Sequence, residues 1–185
     1  TPSTASLGIV DSNDAPVLFT ASPGSGSGSG SSTNSRISAP VDHTVAYEEL
    51  RIATNGFDAS HRIGGGGSCV VYRAELWGRQ CAVKVLSAGA DEWSAQQFAV
   101  ELDVLTRVQD AHLVRFYAYS TDGPSTCLVL EYCEGGSLDE RLVTKEKPPL
   151  GWQQLVAIAV SLCRALVHLH SLKPKPFIHR GTKSL

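Results

Sequence analysis

Four consecutive glycines, Gly64–Gly67, precede a run of strand formers at Cys69–Arg73, and a second short apolar run, Cys81–Val83, ends on Lys84. Glycine admits positive φ and lets the backbone come close to a ligand. A glycine turn between two strands presents unblocked N–H groups, which suit a polyphosphate. Lys84 follows on a β-type run, from which a side chain can point into the pocket under that turn. A glycine run alone serves equally well as a plain flexible loop, so the lysine and the residues downstream carry the argument. A second charged group is Glu101. The stretch 91–110 reads as a helix, with Phe98, Leu102, Leu105 and Val108 or Gln109 at three- and four-residue steps. Glu101 lies on the same face. A carboxylate on an apolar stripe is costly to bury unless it is paired, and Lys84 is its natural partner. The spacing allows equally that Glu101 lies at the edge of the stripe in water.

Other elements must position these groups. Residues 113–119 and 126–132 are β-type runs, and Asp122-Gly123-Pro124 between them is a turn, so the two read as a hairpin. Glu134-Gly135-Gly136 ends the second strand, and Ser137 can cap a short helix over 138–143. The longest helix signal runs over 152–172, with Leu155, Ile158, Ala159, Leu162, Leu166 and Leu169 as one apolar face and Pro174 and Pro176 beyond its end. Residues 177–180 begin another extended piece. Upstream, residues 45–57 form a short amphipathic turn from Tyr47, Leu50, Ile52 and Ala53, stopped by Asn55-Gly56. The stretch before it, 1–44, is rich in Ser, Gly, Thr and Pro and reads as a disordered spacer.

The 185 residues suit one domain plus a tail. A net charge of −2 gives no basic surplus for nucleic acid and no acidic tail. The five cysteines are odd in number, lack C-x-x-C spacing, and read as reduced intracellular thiols, not a disulfide or zinc framework. No apolar run approaches the roughly 18 residues of a membrane span, and no signal peptide is visible. No membrane span and no metal site are therefore expected in this chain. Thr1 and the absence of methionine lead us to expect a processed or cut chain.

Taken in order, these motifs resemble a protein kinase of the tyrosine-kinase-like group, nearest to the receptor-like, Pelle and interleukin-receptor-associated kinases. Gly64-x-Gly66-x-x-Cys69-x-Val71 followed by Cys81-Ala82-Val83-Lys84 resembles the kinase glycine loop and its lysine strand. Y-E-E-L-R-I-A-T-N-G-F at 47–57 resembles the segment before receptor-like kinase domains, and F-A-V-E-L-D-V-L at 98–105 the third-helix motif. L-V-L-E-Y-C-E-G-G-S-L at 128–138 is similar to the hinge, residues 150–170 to the long helix, and F-I-H-R-G-T-K-S at 177–184 to the catalytic loop. The resemblance implies an α+β, protein-kinase-like fold. It would have a small lobe over 58–134, with a five-stranded antiparallel sheet and one helix, and the first helices of a large lobe over 135–185. In the family the long helix is buried at the centre of the large lobe, so its leucines are expected to be left uncovered in this chain.

The resemblance also implies roles, with ATP and Mg²⁺ as cofactors and a protein as substrate. Ile63 would line the nucleotide site, and Gly64 and Gly66 would let the loop close over the phosphates. Val71 would pack on adenine under a roof formed by Ala82. Lys84 would bind the α- and β-phosphates, held by Glu101. Leu130 would be the gatekeeper, Glu131 and Cys133 would offer backbone hydrogen bonds to adenine, and Lys183 would contact the transferred phosphate. Cys69 and Cys133, near the nucleotide, read as inert.

Cys69 and Ser68 depart from the loop pattern and weaken its closure. Gly181 stands where the family has the aspartate that orients and deprotonates the substrate hydroxyl. The magnesium-binding asparagine would follow Leu185, and the D-F-G and A-P-E motifs are not in this sequence. Three readings follow. The first is an ATP-binding kinase domain fragment serving Ser/Thr, or Tyr, phosphorylation in signalling. The second is a pseudokinase that binds nucleotide or acts as a scaffold. The third is a nonfunctional truncated remnant. The expected location is the cytoplasm, or the cytoplasmic face of a membrane where a transmembrane segment precedes Thr1.

Overall fold

The computed structural model describes residues 43–65, 69–86, 92–143 and 149–173, leaving out the side chains of 92–97, 100, 101, 139, 140 and 143. The spacer expected over 1–44 lies outside the described residues up to 42, and so do Gly66, Gly181 and Lys183. The fold is α+β. In chain order it comprises α1 (Tyr47–Ala53), a 3₁₀ turn (Ala59–His61), β1 (Arg62–Gly65), β2 (Cys69–Leu76), β3 (Arg79–Leu86), α2 (Glu92–Arg107), β4 (Phe116–Ser120), β5 (Cys127–Glu131), α3 (Leu138–Val143) and α4 (Trp152–Ser171). The strands form one antiparallel sheet in the order β1-β2-β3-β5-β4. The described residues divide into two compact units, one holding the sheet and α1, the other α2, α3 and α4.

In the sheet unit, β2 and β3 are joined by Trp77-Gly78, with φ of 53° and 70°. A two-residue hairpin turn needs both residues in the left-handed region to follow the strand twist. Alternation along the strands then separates two faces. One face carries Ala74, Leu76, Cys81, Val83, Cys127, Val129 and Ala118, which form a core with Val45 and Leu50. Leu50 is fully buried, whereas Ile52 is 68% exposed. The amphipathic turn expected from Tyr47, Leu50, Ile52 and Ala53 forms, but Ile52 does not join its buried side, since helical residues two apart do not face the same way. The Asn55-Gly56 stop does end α1, with φ of 52° and 75°. Buried Thr54 is satisfied locally: its hydroxyl donates to the Leu50 carbonyl at 2.8 Å and accepts from the Phe57 N–H at 3.1 Å. Among the described residues, His43 and Thr44, inside the stretch read as spacer, already pair with Tyr119.

In the helical unit, Leu113, Ala165 and Leu169 form a core, flanked by Val108, Leu138, Leu162, Leu166 and Leu172. The apolar face expected on α4 is split. Ile158 and Leu169 are buried, while Leu155 and Ala159 are exposed. Ser161 and Ala165 take the inner positions instead. The expectation that the leucines of α4 are left uncovered fails for Leu162, Leu166 and Leu169, which Leu113 and its neighbours cover. The open side is a shallow groove lined by Val156, Ala159, Val160, Cys163, Arg164 and Val167.

Because α4 is apolar on both sides, its 20 residues are long and apolar enough to cross a membrane by length and composition, a test that the core helix of a soluble protein also meets. Gln153, Gln154, Ser161, Arg164 and His168 interrupt the apolar run without making the helix polar on average. Replacing outward Val160 by Lys is expected to leave stability within about 0.5 kcal/mol and to raise solubility. Replacing inward Ala165 by Leu overpacks the core and costs about 1–3 kcal/mol. Melting curves and sedimentation check both.

Candidate functional site

The second face of the sheet collects the residues singled out by their chemistry. Across the antiparallel register, Val71 pairs with Lys84 and Lys84 with Leu128. The next row runs from Arg73 to Ala82 to Leu130 to Phe116. Directly opposed residues share a face, so Lys84 is flanked by Val71 and Leu128, with Ala82 and Leu130 two residues along. Ala82, Lys84, Leu128 and Leu130 are all buried. Most of a lysine's length is hydrocarbon that packs against apolar neighbours, with the ammonium at its tip. The result is a narrow apolar strip that carries a cation.

The glycine segment borders this strip. Gly64 pairs with Val71 and Gly65 with Val70, and a bulge between Arg62 and Gly64 leaves Ile63 unpaired. Bulges re-aim side chains, and Ile63 is exposed. Gly65 has φ of 144°, and a Cβ there would lie 2.7 Å from the Cys69 carbonyl oxygen and 2.9 Å from the Val70 Cα. Only glycine fits so close to β2. A Cβ at Gly64 would meet nothing within 4 Å, so its backbone is open to a ligand.

Of the expected site residues, the structure brings Gly64, Val71, Ala82, Lys84 and Leu130 together on this sheet. Glu131 is the last residue of β5, paired with Cys81 and therefore on the opposite face, so its backbone, not its side chain, is what borders the strip. Cys133 belongs to the helical unit, where its carbonyl accepts the Gly136 N–H at 3.2 Å. Glu101 lies on α2, with its side chain outside the described residues. Gly66, Gly181 and Lys183 lie outside them altogether. Sequence reasoning passed over Leu128 and Phe116. The period-two step from Leu130 back to Leu128 was a usable signal, whereas the Phe116 partnership needed the β4–β5 register.

Behind the strip, the opposite face is dry. Burial pushes the Cys81 thiol up to about 11 and the Cys127 thiol up to about 12, so both stay protonated at neutral pH. Tyr117 lies under the Arg79 guanidinium at 5.1 Å, and burial, with Glu131 next, raises its hydroxyl above the usual range. All five cysteines are free thiols.

A family model for protein tyrosine and serine/threonine kinases matches residues 57–183. The chain belongs to this family. Such kinases generally use ATP and Mg²⁺ and act on proteins. Chitin elicitor receptor kinase 1 of Arabidopsis thaliana is 40% identical over 146 residues, covering 78% of this chain and 23% of that protein. U-box domain-containing protein 52 of the same plant is 40% identical over 138 residues, 74% of this chain and 16% of its own length. Receptor protein kinase WSS1 of Oryza sativa subsp. japonica is 38% identical over 143 residues, with 75% and 16% covered. The kinase fold and the receptor-like kinase kinship read from the motifs both hold. The chain spans less than a quarter of the length of these relatives.

Proposed function

We propose that the sheet face around Lys84 is the ATP-binding half of a protein kinase domain that serves phosphorylation of Ser/Thr on proteins in signalling. The observation that carries this reading is the buried Lys84 between Val71 and Leu128, one step from Ala82 and Leu130, beside the open backbone of Gly64. An apolar strip that carries a cation beside an open glycine edge fits a flat base joined to a polyphosphate. Val71 and Ala82 pack on the base, Leu130 limits the depth of the pocket, and the backbones of Glu131 and Cys133 meet the edge of the base. Lys84 donates to phosphate oxygens, held by Glu101, while Gly64 and Gly66 let the backbone approach them. Lys183 contacts the transferred phosphate. ATP supplies the γ-phosphoryl group. Among the described residues no group of three or more His, Cys, Asp or Glu could hold a metal ion. The cytoplasm, or the cytoplasmic side of a membrane, is the matching location.

Mg-ATP is expected to raise the melting temperature of the wild type, since ligand at 100 times its Kd adds about 2.7 kcal/mol. Lys84→Ala should lose most of that shift. Equal shifts in the two proteins would overturn the nucleotide reading. A second reading, a pseudokinase that binds nucleotide and signals by contact, rests on Gly181 at the position of the catalytic aspartate.

A further inference from the structure

The region matched to the kinase family begins at residue 57, yet residues 43–56 complete the core behind the candidate site. The Tyr119 N–H donates to the His43 carbonyl at 2.8 Å, and the Val45 N–H donates to the Tyr119 carbonyl at 2.9 Å. This segment therefore runs parallel to β4, the outermost strand of the sheet, and covers an edge that would otherwise stand unpaired. Leu50 then enters the core formed by Val83, Cys127 and Val129.

The joint between the strand segment and α1 is held from the β4–β5 turn. Ala46, the residue before α1, has no side chain that can cap it. Asp122 does so from a distance: one carboxylate oxygen accepts the Tyr47 N–H at 3.0 Å and the Ser120 hydroxyl at 2.7 Å. A carboxylate there satisfies an orphan helix donor and meets the positive end of the helix dipole. The Ser120 hydroxyl, and next the Tyr47 N–H, hold the Asp122 carboxyl below its ordinary range. The Tyr47 ring lies directly on Gly123, where a Cβ would come within 2.1 Å of it. The same ring packs, tilted, against Phe57 at 5.4 Å, and Phe57 meets Tyr72 of β2 edge-on at 5.4 Å.

We propose that residues 43–57 form a releasable strap, latched by Asp122 and Gly123, whose seating governs the order of β3 and β5 at the candidate site. Val83, Cys127 and Val129 lie under the strap, and they alternate along the same backbone with Ala82, Lys84, Leu128 and Leu130. The two sets of side chains share one backbone, so local opening under the strap is expected to reach both. The latch stands on geometry alone. Its consequence for nucleotide rests on the function proposed above.

Amide hydrogen exchange on the full chain tests the strap without any ligand. Asp122 is exposed, so Asp122→Ala retains the fold, and Gly123→Ala provides an independent second variant. Exchange at Val45 and Tyr119 should be about fivefold faster or more in both, and exchange at Lys84 and Leu128–Leu130 should also rise, while Leu162 in α4 is unchanged. Unaltered exchange at Val45 and Tyr119 overturns the latch. Faster exchange there with β3 and β5 unaltered overturns the coupling, and a uniform rise that includes Leu162 overturns both. The Mg-ATP thermal shift should be smaller in the two variants than in the wild type. A wild type with no shift at all sinks the nucleotide reading, while the exchange pattern still decides the strap.

Discussion

Gly181→Asp, introduced into a form of the protein that also carries the magnesium-binding motifs, is expected to raise phosphoryl transfer by about 10²–10⁴-fold. The basis is chemical. Residues 177–184 resemble the kinase catalytic loop in sequence, except that glycine stands where the family has a carboxylate to orient the substrate hydroxyl and take its proton. Glycine has no side chain to accept a proton or to hold the hydroxyl in line. The nucleotide binding proposed at Lys84 does not involve that carboxylate, so the gain should appear in kcat and leave the thermal shift with Mg-ATP unchanged. Initial rates of phosphate transfer to a generic protein substrate measure it. Phosphorylation by the Gly181 form as fast as by the Gly181→Asp form would show that another group supplies the base, and would remove the argument for a scaffolding role.

Leu50→Ala is expected to destabilise the sheet unit by about 2–5 kcal/mol, the range for truncating a fully buried leucine. For a domain of this size each kcal/mol lowers Tm by roughly 4–8 °C, so the loss is large in a melting experiment. The neighbouring Ile52→Ala should change stability by no more than about 0.5 kcal/mol, because that side chain is exposed. Two aliphatic residues of one short helix thus make opposite forecasts. Calorimetry on both variants decides them, and similar effects would show that α1 does not seat in the core as described.

Much of the candidate site was legible in the chain itself. Glycine at 64–67, strand formers at Cys69–Arg73, and a second apolar run at Cys81–Val83 that ends on Lys84 are local facts. The two-residue period then determines that Val71, Ala82, Lys84 and Leu130 can share a face once the strands pair. The Asn55-Gly56 stop and the length of α4 were equally local, since both follow from backbone preferences that need no distant partner. Other features were decided only by tertiary structure. Which side of α4 is buried could not be read from periodicity, because Val156, Val160 and Val167 make a second apolar side as plausible as the first. The packing of Leu113 against Ala165 and Leu169 chose between them. The burial of Leu50 over Ile52 was chosen likewise, by the sheet beneath α1. The cap on α1 comes from Asp122, separated from Tyr47 by 75 positions. Such a contact leaves no periodic trace in the sequence, because it depends on where the β4–β5 turn arrives in space.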